Sequence, residues 1–316
     1  MLLESNDILE NSVSVIVHIG YPKTATSWLQ KNFFPKVRNA VYYPRRDTFE
    51  AIIPHNSLDF DPEKVRKSLN PGAAEHLILS LEGFVGTTHN FGLNGYLTAE
   101  HARRIHSIFP DAKIVLFIRR QENIIASSYV QYIKGGGTYS IEKYLYHNHF
   151  KNISGLSLFS FRFFEYDKII RYYVKLFNEK RVKVYLFEMF LQNPKAFAQK
   201  FAEDLHLDVD HSSLDFGKVN PGYRNGIMLL ARIANRFTKR KMLNKHYFVH
   251  IPLWFLYSKK ILLWLNKFPF TGAYPKPEKI LKVKNLNYIR EYYKSSNMKL
   301  IKEFGLEQIR DYNYTL

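Results

Sequence analysis

From Val13 to Ile19 the chain reads VSVIVHI, an apolar, largely β-branched run. Such a run fits a strand buried on both faces, and strands of that kind belong to parallel sheets covered by helices. The run passes straight into Gly20-Tyr21-Pro22 and then a helical segment predicted over Thr26 to Val37. The same arrangement recurs. His76 to Leu81 (HLILSL) is a second buried strand ending in Glu82-Gly83. Lys113 to Ile118 (KIVLFI) is a third, feeding Arg119-Arg120, and Arg181 to Phe187 (RVKVYLF) is a fourth. Between them lie helical patterns: one capped by Thr98 with Ala102, Ile105, Ile108 and Phe109 on one face, one closed by Gly135-Gly136-Gly137, and others over Tyr166 to Phe177 and Pro194 to Leu205. Alternating strands and helices of this kind predict an α/β fold: an open parallel sheet flanked by helices, with a helical C-terminal cap.

The 316 residues suffice for one large domain, and no repeat or Gly/Ser linker divides them. The reading is a single domain over 1–316, with an α/β core at 13–230 and a helical, aromatic and basic region at 231–316. The absence of cysteine excludes disulfides, thiolate metal sites and a cysteine nucleophile. Met1 to Ser12 carries Glu4, Asp7 and Glu10 and has no apolar core of a signal peptide, so the expected location is cytoplasmic. With 46 Lys and Arg against 28 Asp and Glu, the net charge of +18 points to an anionic partner without choosing among nucleic acid, membrane surface and small polyanion.

The loop after the first strand narrows the choice. A helix N-terminus offers unpaired amides and a partial positive charge, Thr24, Thr26 and Ser27 add hydroxyls, and Lys23 adds a full charge, which together form a phosphate-holding junction. It is not a Walker A loop, because no second glycine precedes the lysine, and the third strand ends in arginine instead of a metal-binding aspartate. Pro22-Lys23-Thr24-Ala25-Thr26-Ser27-Trp28-Leu29 resembles the 5′-phosphosulfate loop, P-K-[ST]-G-T-[TS]-x-[LI], of the sulfotransferases that use 3′-phosphoadenosine 5′-phosphosulfate (PAPS), with Ala25 in place of glycine. Alanine costs nothing if that position opens the helix, the reading expected here, and about 1 kcal/mol if it needs positive φ. The family's second signature is an arginine at a later strand end followed by a helical serine, and Arg119 and Ser127 stand in that relation. An arginine there points into the crevice where open α/β sheets bind ligands. The match continues through Arg181 to Glu188 and is similar to the bacterial carbohydrate-type branch.

The resemblance implies a P-loop-like fold and transfer of a sulfuryl group from PAPS to an acceptor hydroxyl or amine of a saccharide or glycolipid, leaving adenosine 3′,5′-bisphosphate and needing no metal. It implies that Lys23, Thr24, Ala25, Thr26, Ser27 and Trp28 hold the 5′-phosphosulfate, that Lys23 stabilises charge on the leaving phosphate, and that Arg119 and Ser127 hold the 3′-phosphate. Arg224, in Val219-Asn220-Pro221-Gly222-Tyr223-Arg224, sits where the family places a late loop over the nucleotide. Glu82 is the first candidate for the general base, because it ends a buried strand at the same crevice edge; His55, in a loop, is the second.

Residues 242–270 (MLNKHYFVHIPLWFLYSKKILLWLNKFPF) mix Trp254, Trp264 and other apolar residues with lysines. Lys259-Lys260 interrupts them, which argues against a membrane span and leaves peripheral membrane contact, core packing or a dimer contact open. His147-x-His149 is the nearest approach to a metal motif, and no metal is expected. Two other readings stand beside the first: a P-loop small-molecule kinase using Mg²⁺-ATP, and a non-enzymatic basic protein binding polyanions or a membrane surface. The clustering of hydroxyls and lysine at one junction favours a nucleotide ligand over nucleic acid.

Overall fold

The computed structural model describes residues 13–86, 94–147, 157–217, 222–239 and 245–316. Met1 to Ser12, His149, Val219-Asn220-Pro221 and the first residues of the 242–270 stretch lie outside them.

Five strands form one sheet: β1 (Ser14–Gly20), β2 (Ala40–Tyr43), β3 (His76–Ser80), β4 (Lys113–Ile118) and β5 (Val182–Leu186). Their order is β2-β3-β1-β4-β5, and every pairing is parallel. The four strands expected from sequence are present. β2 is an addition: four residues, all half-buried, at the sheet edge. The pleat sorts side chains by parity. On β1, Val17 and Ile19 enter one core layer and Ile16 the other; on β4, Ile114, Leu116 and Ile118 oppose Val115 and Phe117.

The helices follow in chain order: α1 (Thr26–Trp28), α2 (Arg45–Ile52), α3 (Pro62–Ser68), α4 (Thr98–Ile108), α5 (Gln121–Lys134), α6 (Ile141–Leu145), α7 (Tyr166–Phe177), α8 (Phe187–Gln192), α9 (Pro194–Leu205), α10 (Asn225–Ala234), α11 (Trp254–Leu265) and α12 (Pro277–Phe304, interrupted at Lys282). The larger core layer joins the sheet to α4, α5, α7 and α12, and the smaller joins it to Trp28, Phe33, Phe34 and α9.

Two local expectations change. The helix foreseen over Thr26 to Val37 is one short α-turn followed by a π-turn (Leu29–Phe33) and a 3₁₀ turn (Phe34–Lys36). Thr98 does not cap its helix. It is the first helical residue, and its hydroxyl donates to the Val85 carbonyl at 2.7 Å.

α11 buries only Phe255, Ser258 and Leu262, leaving Leu256, Tyr257, Ile261 and Trp264 more than half exposed. Packing in the core, one of the three readings for this stretch, is thereby excluded for these side chains. Among the described residues no helix is long and apolar enough to cross a membrane.

Candidate functional site

Because β1 lies between β3 and β4, the segments that follow these three strands emerge side by side at the C-terminal edge of the sheet. In a doubly wound sheet that edge, where the strand order reverses, is the ligand crevice. It receives Lys23 after β1, Glu82 after β3 and Arg119 after β4. Gly20 makes the approach possible: its φ is +109°, and a Cβ there would meet the Cα and carbonyl oxygen of Glu82 at 3.2 Å. The register between β1 and β4 also shifts between His18 and Gly20, which turns the strand end as bulges beside sites do.

Two residues of the loop have left-handed backbone. Lys23 has φ 70° and Ala25 has φ 63° with ψ 5°, so left-handed residues flank Thr24. Left-handed and right-handed residues in succession turn their amides toward one point and make an anion-binding nest. No backbone carbonyl of the described residues accepts from the amides of Lys23 to Ser27. Ala25 is therefore not the first helical residue, as expected from sequence, but the left-handed N-cap before it. A side chain at such a position costs about 1 kcal/mol relative to glycine, which explains the family's preference.

The hydroxyls of Thr24 and Thr26 both donate to the Tyr21 carbonyl, the latter at 3.1 Å, and close the loop from inside. Ser27 is half-buried. Trp28 points away from the crevice: its indole donates to the Asp215 carbonyl at 2.7 Å and stacks on Phe216, and its amide donates to the Ala25 carbonyl at 2.8 Å.

Lys23 Nζ donates to Gln131 Oε1 at 2.8 Å. Burial first, then the nearby Lys134 and Arg119, push the ammonium pKa down to about 8, against an opposing pull from Glu82. Arg119 donates from Nη1 to the Lys23 carbonyl at 3.1 Å and lies 4.7 Å over the Phe187 ring. Its Nε is buried and has no partner among the described residues, so the guanidinium is desolvated at the crevice with a donor to spare. Ser127, half-buried, shares a face of α5 with Gln131 and Lys134 at helical spacing. Glu82 accepts from Gln30 Nε2 at 3.3 Å and pairs with Arg45 at 3.4 Å.

No protein-family profile and no curated protein matches the chain. Among solved structures, a sulfotransferase from Alicyclobacillus acidocaldarius matches with a TM-score of 0.50 at 17% identity, over 66% of this chain and 87% of that one. This chain has the fold of that sulfotransferase. Mouse sulfotransferase SULT7A1, solved in complex with PAP, matches at 12% identity over 90% of this chain and 84% of its own, with a TM-score of 0.37 that is too low to carry an argument.

Within that sulfotransferase fold the two remaining candidates, His55 and Arg224, are each engaged by hydrogen bonds of their own. The His55 ring bonds the Ala51 carbonyl at 3.0 Å and packs against Phe60, and its own carbonyl accepts from Arg104, so its contacts lie at the corner of α2, α3 and α4. Arg224 donates to the carbonyls of Asn266 at 3.1 Å and Gly272 at 2.8 Å and covers Tyr274, which ties the start of α10 to the segment after α11. Sequence reasoning passed over Gln131 and Lys134. Their positions four and seven residues after Ser127 were the available signal. Among the described residues no cluster of His, Cys, Asp or Glu suits a metal ion.

Proposed function

We propose that the protein is a PAPS-dependent sulfotransferase that moves a sulfuryl group to an acceptor hydroxyl or amine. The observation that carries this reading is the meeting, at one sheet edge, of the nest at Lys23–Ser27 with a half-buried arginine whose buried Nε lacks a partner among the described residues. Two separated anionic groups on one nucleotide match that arrangement: a 5′-phosphosulfate for the nest and a 3′-phosphate for Arg119 and Ser127.

In this reading the acceptor oxygen or nitrogen forms a bond to sulfur while the bond from sulfur to the 5′-phosphate oxygen breaks, in line. Lys23 meets the charge building on the leaving phosphate. Its desolvation favours that role, because an anion beside it restores the cation that burial disfavours. Glu82, at the same edge and electrostatically linked to Lys23, takes the acceptor proton by giving up its contact with Arg45 or Gln30; His55 is the alternative base. Arg224 would serve the 3′-phosphate only by giving up its present carbonyl partners.

The acceptor is a saccharide or glycolipid in this proposal. The exposed Leu256, Tyr257, Ile261 and Trp264 beside Lys259 and Lys260 support contact with a membrane surface on which such a glycolipid would be presented. No observation favours the kinase reading, since the strand-end carboxylates are occupied: Glu82 by Arg45 and Gln30, Glu188 by the Arg120 amide and Tyr314.

Calorimetric titration tests the proposal. Adenosine 3′,5′-bisphosphate is expected to bind without metal, and to bind far more weakly to Arg119→Ala. Tighter binding of ATP that requires Mg²⁺ would replace the sulfotransferase reading with the kinase one.

A further inference from the structure

A second concentration of positive charge lies beyond the Lys134 end of α5. There the chain turns through Gly135–Gly137 and, with α10 and the segment after it, encloses a cavity of about 330 Å³. Thr138, Tyr139, Lys143, Arg232, Arg236 and Phe248 line it. None of them belongs to the Lys23 loop or to the residues around it.

Two observations make this wall unusual. Lys143, Arg232 and Arg236 form no ion pair among the described residues, and the adjacent carboxylate, Glu142, is paired with Lys282 instead. Thr138 and Tyr139 are each 5% exposed, yet among the described residues the Oγ1 of one and the Oη of the other have no hydrogen-bond partner, and neither does the Nε of Arg232. Buried donors left unmet cost stability, and native structures seldom keep several in one place without a ligand to satisfy them.

The cavity wall is also held in place. The amides of Thr138 and Tyr139 both donate to Tyr132 Oη at 3.2 Å, and Asn235 Nδ2 donates to the carbonyls of Ile133 and Gly137 at 2.9 Å each. Cations and hydroxyls that meet over this fixed backbone, with no acid among the lining residues, suit a tetrahedral oxyanion, whose oxygens accept from both kinds of donor.

We propose that this cavity is a second oxyanion site that binds a phosphate group, independently of what the Lys23 loop binds. The phosphate has two possible sources. Phe248 at the rim is 71% exposed, and Leu229, Leu230 and Ile233 of the adjoining α10 are also exposed, which would suit a lipid headgroup; a soluble phosphorylated ligand supplies the same chemistry.

The test titrates inorganic phosphate calorimetrically into full-length Lys23→Ala protein, in which the loop site is disabled, and into Lys23→Ala combined with Arg232→Gln. One-site binding is expected in the first and binding about tenfold weaker in the second, the loss typical of one charge-assisted hydrogen bond. Absence of binding in Lys23→Ala, or equal binding in both, overturns the proposal. Should Arg232→Gln fail to fold, the exposed Arg236→Gln takes its place with the same expectation. Cosedimentation with vesicles of phosphatidylcholine, with and without phosphatidic acid, then separates the sources. Capture that needs phosphatidic acid and falls with the same substitution assigns a lipid headgroup, and phosphate binding without capture assigns a soluble ligand. Capture that the arginine substitutions leave unchanged, with phosphate binding also unchanged, counts against the site.

Discussion

Two late helices, α11 and α12, have compositions opposite to their fates. α11 reads WFLYSKKILLWL and leaves most of its apolar side chains in solvent. α12 is rich in lysine, asparagine and glutamate, yet Leu281, Ile289, Tyr293 and Leu300 are buried in the main core. The difference is periodic. Buried positions of α12, from Leu281 through Asn285, Ile289, Tyr293 and Asn297 to Leu300, recur every three or four residues and form one seam, whereas the apolar residues of α11 run consecutively around the helix and exceed what one contact face can cover. Mean hydropathy therefore misleads about which helix supports the fold. α12 also braces the site from behind. It packs on α5, where Gln121 Nε2 donates to Asn297 Oδ1 at 2.7 Å and Arg290 pairs with Glu122 at 3.2 Å, and the loop lies against another face of the same helix through Gln131.

The largest expected effect is on the seam. Leu300→Ala should cost about 3 kcal/mol in urea unfolding, because it opens a cavity in a fully buried layer. Asn297→Ala should follow at about 2 kcal/mol, since it strips Gln121 of its buried partner; a loss under half of that would mean that α12 does not brace α5.

On the loop side, Lys23 ties the comparison to pH. Its folded pKa, about 8, lies below the ordinary lysine value of 10.5, so the folded state binds fewer protons than the unfolded state between these values, and stability rises with pH across that window. Anion binding has the opposite sign, because it needs the ammonium. Affinity for adenosine 3′,5′-bisphosphate should fall above pH 8, approaching a loss of about tenfold per pH unit. Lys23→Arg, charged throughout, should flatten this profile, and an unchanged slope would remove Lys23 from the anion site.

Ala25→Gly should stabilise the protein by about 1 kcal/mol by relieving the left-handed alanine, as measured by the same unfolding experiment. The smallest effect belongs to α11: Ile261→Ala should change stability by less than about 0.5 kcal/mol. A cost comparable to that of Leu300→Ala would erase the contrast between the helices.

Much of the fold was legible because it is written locally. Runs such as VSVIVHI and KIVLFI announce buried strands by composition alone, and Pro22–Leu29 and Arg119 stand at their ends. β2 was missed because AVYY is a short, half-buried edge strand with no strong pattern. The left-handed φ of Ala25 was the less favoured of two readings, because an alanine fits a first helical turn as well as it fits a strained cap and only the motif's glycine hinted at the turn. Lys134 and Gln131 were missed because a helix face has no meaning for a site until its orientation is known.

The sequence by itself determined four of the five strands and the chemistry at their ends, because period and side-chain type are properties of short segments. Only the tertiary structure decided the strand order that sets Lys23 between Glu82 and Arg119, that α12 is a core helix and that α11 remains at the surface. Strand order and helix contacts depend on how distant segments cover one another, and no short segment carries that information.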